Sequence, residues 1–215
     1  MRSVNKGPAP LDDNDLPVVF EAYQDAARHL KERLGRYCSY CERTIPVGLA
    51  VEHKRPKEHH PLLERAWENF LLACANCNSS KGHSNPAIDS VVWPDEHDPF
   101  NLIAYMPNGA VRPRAGLAPG LEAKVRATLA RLGISKAPEE MSALDHRLFD
   151  RLEIWRRAAQ SREDLANSDL PALRRAIVET AKASGGYSIW QAAFELDAAM
   201  RDALSRSFVG TRAAA

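Results

Sequence analysis

The spacing of apolar positions changes along the chain, and each change marks a different kind of element. In DNDLPVVFEAYQDAARHLKERLGR, Phe20, Tyr23, Ala27, Leu30 and Leu34 fall on one helical face. Asn14 or Asp15 offers a cap, Pro17 suits a first turn and Gly35 follows the end, so the pattern predicts an amphipathic packing helix. From Tyr37 to His83 the period becomes short and irregular. ERTIPVGLAVEH predicts a hairpin with its second strand at about 49–53, which puts His53 at a strand end. PLLERAWENFLLAC reads as a loop and a short apolar segment, and ANCNSSK as a short helix stopped by Gly82. NLIAYMPNGAVRP sets Asn108-Gly109 between two apolar runs, the signal of a second hairpin. Amphipathic helices are then expected at about 121–132, 142–161, 171–183 and 188–207, with Gly185-Gly186 as a break. Leu144, Leu148, Leu152 and Trp155 recur at helical spacing and are read as core.

These elements describe an α+β chain, predominantly α-helical, in four segments. They are an N-terminal segment and packing helix (1–36), a short-period core (37–83), an acidic loop and β-hairpin (84–115) and a C-terminal helical region (116–215). A length of 215 residues suits one compact unit with appendages. No apolar run approaches the roughly 20 residues of a membrane span, and MRSVNKGPAPLDDND lacks the apolar core of a secretory signal, so a cytoplasmic protein is expected. The formal net charge of +1 decides nothing about nucleic acid, because a balanced total can hide a segregated surface. Residues 84–100 carry Asp89, Asp95, Glu96 and Asp98 without a basic partner. Residues 101–136 carry Arg112, Arg114, Lys124, Arg126, Arg131 and Lys136 against Glu122 alone. Such a stretch can follow a phosphate backbone, and a solvated loop and helix face can equally carry it.

The cysteines narrow the chemistry. All four occur as Cys38-x-x-Cys41 and Cys74-x-x-Cys77, and two such turns together supply the tetrahedral thiolate shell of a structural zinc ion. A cytoplasmic chain disfavours two disulfides. The remaining alternative is four unligated core cysteines. Between the two turns lie the parts of a one-metal phosphodiesterase site: Glu52-His53 at a strand end, Asn69 before the apolar FLLAC, and Asn78 directly after the second turn. Mg²⁺ or Mn²⁺ takes oxygen ligands, which the Glu52 carboxylate and the Asn78 amide can supply. A neighbouring imidazole can take the proton of an attacking water. Read singly, His53 is a surface histidine and Asn78 a helix cap.

In this order the residues resemble an HNH nuclease of the ββα-metal type, with His53, Asn69 and Asn78 in the three motif positions. The resemblance implies His53 as general base, Glu52 and Asn78 as catalytic metal ligands, Asn69 as brace of the hairpin loop, and Cys38, Cys41, Cys74 and Cys77 as the zinc site. Glu52 stands where Asp is more usual and Asn78 where many members have His; His83 is a second possible ligand beyond Gly82. Lys54, Arg55, Lys57, Lys81, Arg112 and Arg114 are the expected phosphate contacts, whereas His59 and His60 are read as surface residues. The core CSYCE…VEHKRPK…WENFLLACANCNSSKG, with the opening MRSVNKGPAP, the NLIAYMPNGAVRP hairpin and KVRATLARLGI, further resembles the PtuB-like HNH subunits of Septu-type and retron-associated anti-phage defence systems. That resemblance implies DNA cleavage and an ATPase partner. Two alternatives stand beside it: a zinc-stapled nucleic-acid-binding or adaptor module without catalysis, and an HNH nuclease acting on RNA.

Overall fold

The computed structural model describes residues 1–212. Its first helix is shorter than the apolar spacing predicts. Asp12 N–H donates to the Leu16 carbonyl (2.8 Å), Val18 N–H donates to the Pro10 carbonyl (2.8 Å), and Asp15 takes a φ of 60°. The segment therefore folds back on itself, and Phe20 reaches the core from a loop, with its ring 6.2 Å from Trp67 and 6.0 Å from Phe70. One 3₁₀ turn, Tyr23–Asp25, then leads into α1 (Ala26–Leu34), which buries Ala26, Leu30 and Leu34.

The core hairpin forms with a different partner strand. β1 (Ala50–His53) pairs antiparallel with β2 (Phe70–Ala73), placing Glu52 opposite Leu71 and His53 opposite Phe70. The stretch from Glu42, predicted as the first strand, is used up by the cysteine turn: Glu42 N–H donates to Cys38 O (2.9 Å) and Cys38 N–H to Arg43 O (3.0 Å). All four residues of β2 are buried, and the strand lies against α1. This explains why FLLA shows no alternation: a strand covered on both faces has no polar side to display.

Cys74 ends β2 and caps α2 (Ala75–Lys81), its sulfur accepting from Cys77 N–H at 3.5 Å. α3 (Pro99–Leu102) precedes the second hairpin, β3 (Ile103–Tyr105) with β4 (Val111–Pro113), whose turn holds Asn108 and Gly109 as predicted. α4 (Pro119–Arg131) packs on β4. The C-terminal region follows as α5 (Arg147–Asn167), α6 (Pro171–Ser184), α7 (Tyr187–Ala193) and α8 (Ala198–Ser207) around the fully buried Trp190. The last predicted helix is thus two, because the Asp197 carboxylate accepts from Met200 N–H (2.9 Å) and starts α8 afresh. α5 begins later than predicted, so Leu144 lies outside it and is 82% exposed, while Leu148 is core. The fold is α+β. Among the described residues no helix is long and apolar enough to cross a membrane.

Candidate active site

β1, the loop after it and α2 enclose a cleft of about 540 Å³ lined by Glu52, His53, Lys57, Asn78, Lys81 and His83, with Tyr23 at its edge. His53 is wedged between the rings of Tyr23 (4.7 Å) and Phe70 (5.4 Å). Its Nε2 lies 2.8 Å from the Glu64 carbonyl oxygen. A carbonyl can only accept, so Nε2 carries the proton and Nδ1 keeps the lone pair. Burial pulls the imidazole below the ordinary histidine value, against the Glu64 carbonyl, so the ring is neutral at neutral pH.

Asn69 holds the loop that carries Glu64. It is buried, its Oδ1 accepts from Arg55 N–H (2.8 Å), and its Nδ2 donates to the carbonyls of Arg55 (3.0 Å) and Leu63 (3.1 Å). The side chain therefore clips both ends of the loop following His53.

Glu52 is 1% exposed. Its Oε2 accepts from the Tyr40 hydroxyl (2.5 Å), and Lys81 Nζ approaches Oε1 at 2.6 Å. Oε1 therefore meets the Lys81 ammonium as a buried ion pair, with no further donor among the described residues. Burial raises the Glu52 carboxyl above the ordinary value, opposed by the Lys81 charge and the Tyr40 hydroxyl. Asn78 is exposed on α2, with no hydrogen bond to its side chain among the described residues. A hard cation takes carboxylate and amide oxygens together with water and phosphate, so these donor types fit Mg²⁺ or Mn²⁺, which would take the place of the Lys81 ammonium at Glu52.

Not every expected phosphate contact is at the cleft. Lys54, expected as a phosphate contact, is buried in ion pairs with Asp95 (2.8 Å) and Glu96 (2.5 Å) and does not line the cleft. Lys81 lines the cleft, but its ammonium is engaged by Glu52. Lys57 lines it too, paired with Glu64 (3.1 Å) over the Tyr23 ring. Arg55, Arg112 and Arg114 do not line the cleft; Arg112 is exposed on β4, and Arg114 donates to the Phe100 carbonyl at 3.0 Å. His83, 80% exposed, pairs with Glu58 (3.1 Å), and His60 lies 3.0 Å from Asn85 Oδ1. Sequence reasoning passed over Tyr40. It occupies a spacer position inside Cys38-x-x-Cys41, where spacing alone assigns no role.

The four cysteine sulfurs lie within 4.8 Å of one another, all buried and none in a disulfide. Cys41 Sγ and Cys74 Sγ are 3.7 Å apart, close to the edge of about 3.8 Å for a tetrahedron with metal–sulfur bonds of about 2.3 Å. Contact with the Cys38, Cys41 and Cys77 thiols pulls Cys74 far down, while burial pushes Cys38 up and the Cys38 thiol pushes Cys77 up. The Cys38 thiol pulls Cys41 down as well, so the four differ from one another without a cation, and a bound cation lets each become a thiolate. The cluster is a metal-binding arrangement set apart from the cleft.

Both sites fall within one matched segment. Residues 38–84 match the model of the HNH endonuclease family. Over 77 residues the chain is 32% identical to the Septu protein PtuB of Bacillus thuringiensis, a match covering 34% of this chain and 30% of that protein.

Proposed function

We propose that this chain is a metal-dependent endonuclease that hydrolyses phosphodiester bonds of DNA. The observation that supports it most directly is the fixed tautomer of His53, whose basic Nδ1 belongs to the same cleft as the Glu52 carboxylate and Asn78. His53 takes the proton of the attacking water. The water oxygen bonds to phosphorus, the P–O3′ bond breaks, and the leaving 3′ oxygen takes a proton from solvent water, so the products are a 5′ phosphate and a 3′ hydroxyl. Glu52 and Asn78 would hold Mg²⁺ or Mn²⁺, which supplies charge stabilisation at the phosphate. Asn69 keeps the Glu64 carbonyl under His53, and Lys57 offers a cation at the cleft. The cysteine cluster would hold zinc as scaffold. The likeness to a Septu protein extends the reading to anti-phage defence in the cytoplasm, with an ATPase partner gating cleavage.

The test is relaxation of supercoiled plasmid by zinc-loaded protein, with and without added Mg²⁺ or Mn²⁺, beside His53→Ala. Cleavage should require the added ion and fall about 10²–10⁴-fold in the variant, as loss of a general base does. Equal rates from wild type and His53→Ala would remove His53 as base. Cleavage of an RNA substrate alone would replace DNA by RNA.

A further inference from the structure

The cysteine cluster is gripped from outside by two arginines that the nuclease reading leaves without a role. Arg147, the first residue of α5, is 2% exposed, and its Nη1 lies 3.3 Å from Cys77 Sγ. The same guanidinium donates to the carbonyls of Leu132 (2.6 Å) and Gly133 (3.2 Å) and to both oxygens of Asp145 (2.8 and 2.6 Å). Arg43 follows the first cysteine turn, and its Nη2 lies 3.7 Å from Cys74 Sγ. Its Nη1 is held by Asp150 of α5 at 2.6 Å, and its Nη2 also donates to Asn76 Oδ1 at 2.9 Å.

α5 therefore reaches the sulfurs twice, directly through Arg147 and one turn later through Asp150 and Arg43. A third grip comes from the start of α7, where Ser188 N–H (2.8 Å) and its hydroxyl (2.6 Å) donate to the buried carboxylate of Glu42, next to Cys41. Four thiolates around one divalent ion leave an excess of negative charge in the interior. Buried negative charge persists only where donors meet it, and N–H···S bonds from guanidinium groups do so.

We propose that Arg43 and Arg147 are outer-sphere partners of the cysteine-bound metal ion, so that metal binding and the docking of α5 are one linked equilibrium. The proposal rests on the cysteines as a metal site and is independent of the nuclease reading. Linkage is reciprocal: whatever factor the docked arginines add to metal affinity, the metal adds to the docking of the C-terminal region. The C-terminal helices then sense the metal directly, without involvement of the catalytic cleft.

The experiment is competition for zinc between full-length protein and a chromogenic chelator, with hydrogen exchange of α5 followed in zinc-loaded and chelated wild type. Arg147→Met and Arg43→Met should weaken zinc retention about 10–100-fold, the usual effect of losing an outer-shell partner. Arg174→Met, which breaks pairs with Asp169 and Asp197 away from the sulfurs, should retain zinc like wild type. Chelation should accelerate exchange across 147–167. Because that second readout uses wild type, a variant that folds poorly leaves the proposal exposed to refutation. Wild-type zinc retention in both variants, or α5 exchange indifferent to chelation, overturns it. A wild type that binds no zinc overturns it too, by removing the ion, while plasmid cleavage would still report separately on His53.

Discussion

Glu52 and His53 are neighbours at the end of β1, and both line the cleft while meeting different neighbours. His53 is held by aromatic rings and a carbonyl, Glu52 by Tyr40 and Lys81. A buried carboxylate needs that lysine. In metal-free protein Lys81→Met should cost about 3 kcal/mol, the loss expected when one partner of a buried pair is removed. Urea unfolding would read it, and the double variant Glu52→Gln/Lys81→Met should recover most of the loss. Divalent ions should stabilise Lys81→Met more than wild type, because the ion then replaces the missing cation at Glu52; equal stabilisation would show that Lys81 does not compensate Glu52. The residue pattern announced Glu52, His53, Asn69 and Asn78 because the nuclease motif names those positions. It could not announce Tyr40 or the engagement of Lys81, since both depend on which side chains the hairpin and α2 bring within reach of one carboxylate.

Elements were legible where a local signal acts locally. Asn108-Gly109 turns where expected, Gly82 follows the end of α2, and α6 starts at Pro171. Strand pairing is not local, and β1 skips the adjacent stretch to pair with β2 across the loop that Asn69 braces. The break at Gly185-Gly186 shows how an element boundary serves a distant one. Gly185 has a φ of 73°, and a Cβ there would stand 2.4 Å from the Glu42 carbonyl oxygen in the cysteine turn. Gly48 also has a positive φ, 86°, but a Cβ there would meet nothing within 4 Å. Gly48→Ala should therefore show backbone strain alone, about 1–3 kcal/mol. Gly185→Ala should cost clearly more and lower zinc retention as well, because the clash falls on the turn holding Cys38 and Cys41. Melting temperatures and chelator competition on the pair would check this. Equal losses would mean that the approach of Gly185 to the turn contributes nothing.

On the scale of the whole molecule, the acidic stretch between 84 and 100 looks in sequence like a patch of surface field, and part of it is interior scaffold. Asp95 Oδ2 lies 3.0 Å from Lys6 Nζ and 2.8 Å from Lys54 Nζ, and all three side chains are buried. Lys6 also donates to the carbonyls of Glu68 (2.9 Å) and Phe70 (2.7 Å). One carboxylate thus ties the N-terminal segment, the loop after His53 and the acidic loop together, which charge counting along the chain cannot reveal. Burial pushes the Asp95 carboxyl up, but the Lys6 and Lys54 charges pull it below the ordinary carboxylate value. A carboxyl depressed on folding contributes stability above its unfolded pKa of about 3.9, and that contribution is lost as pH falls through the folded value. Asp95→Asn should consequently destabilise the protein by on the order of 3 kcal/mol at pH 6. The gap between variant and wild type should begin to narrow as the pH is taken below about 4 and close once it passes below the depressed folded-state value, where wild-type Asp95 is protonated as well. Urea unfolding of both proteins across that range gives the answer. A gap that stays constant with pH would assign the loss to packing instead of charge, and the three segments would then be joined by shape rather than by the shared carboxylate.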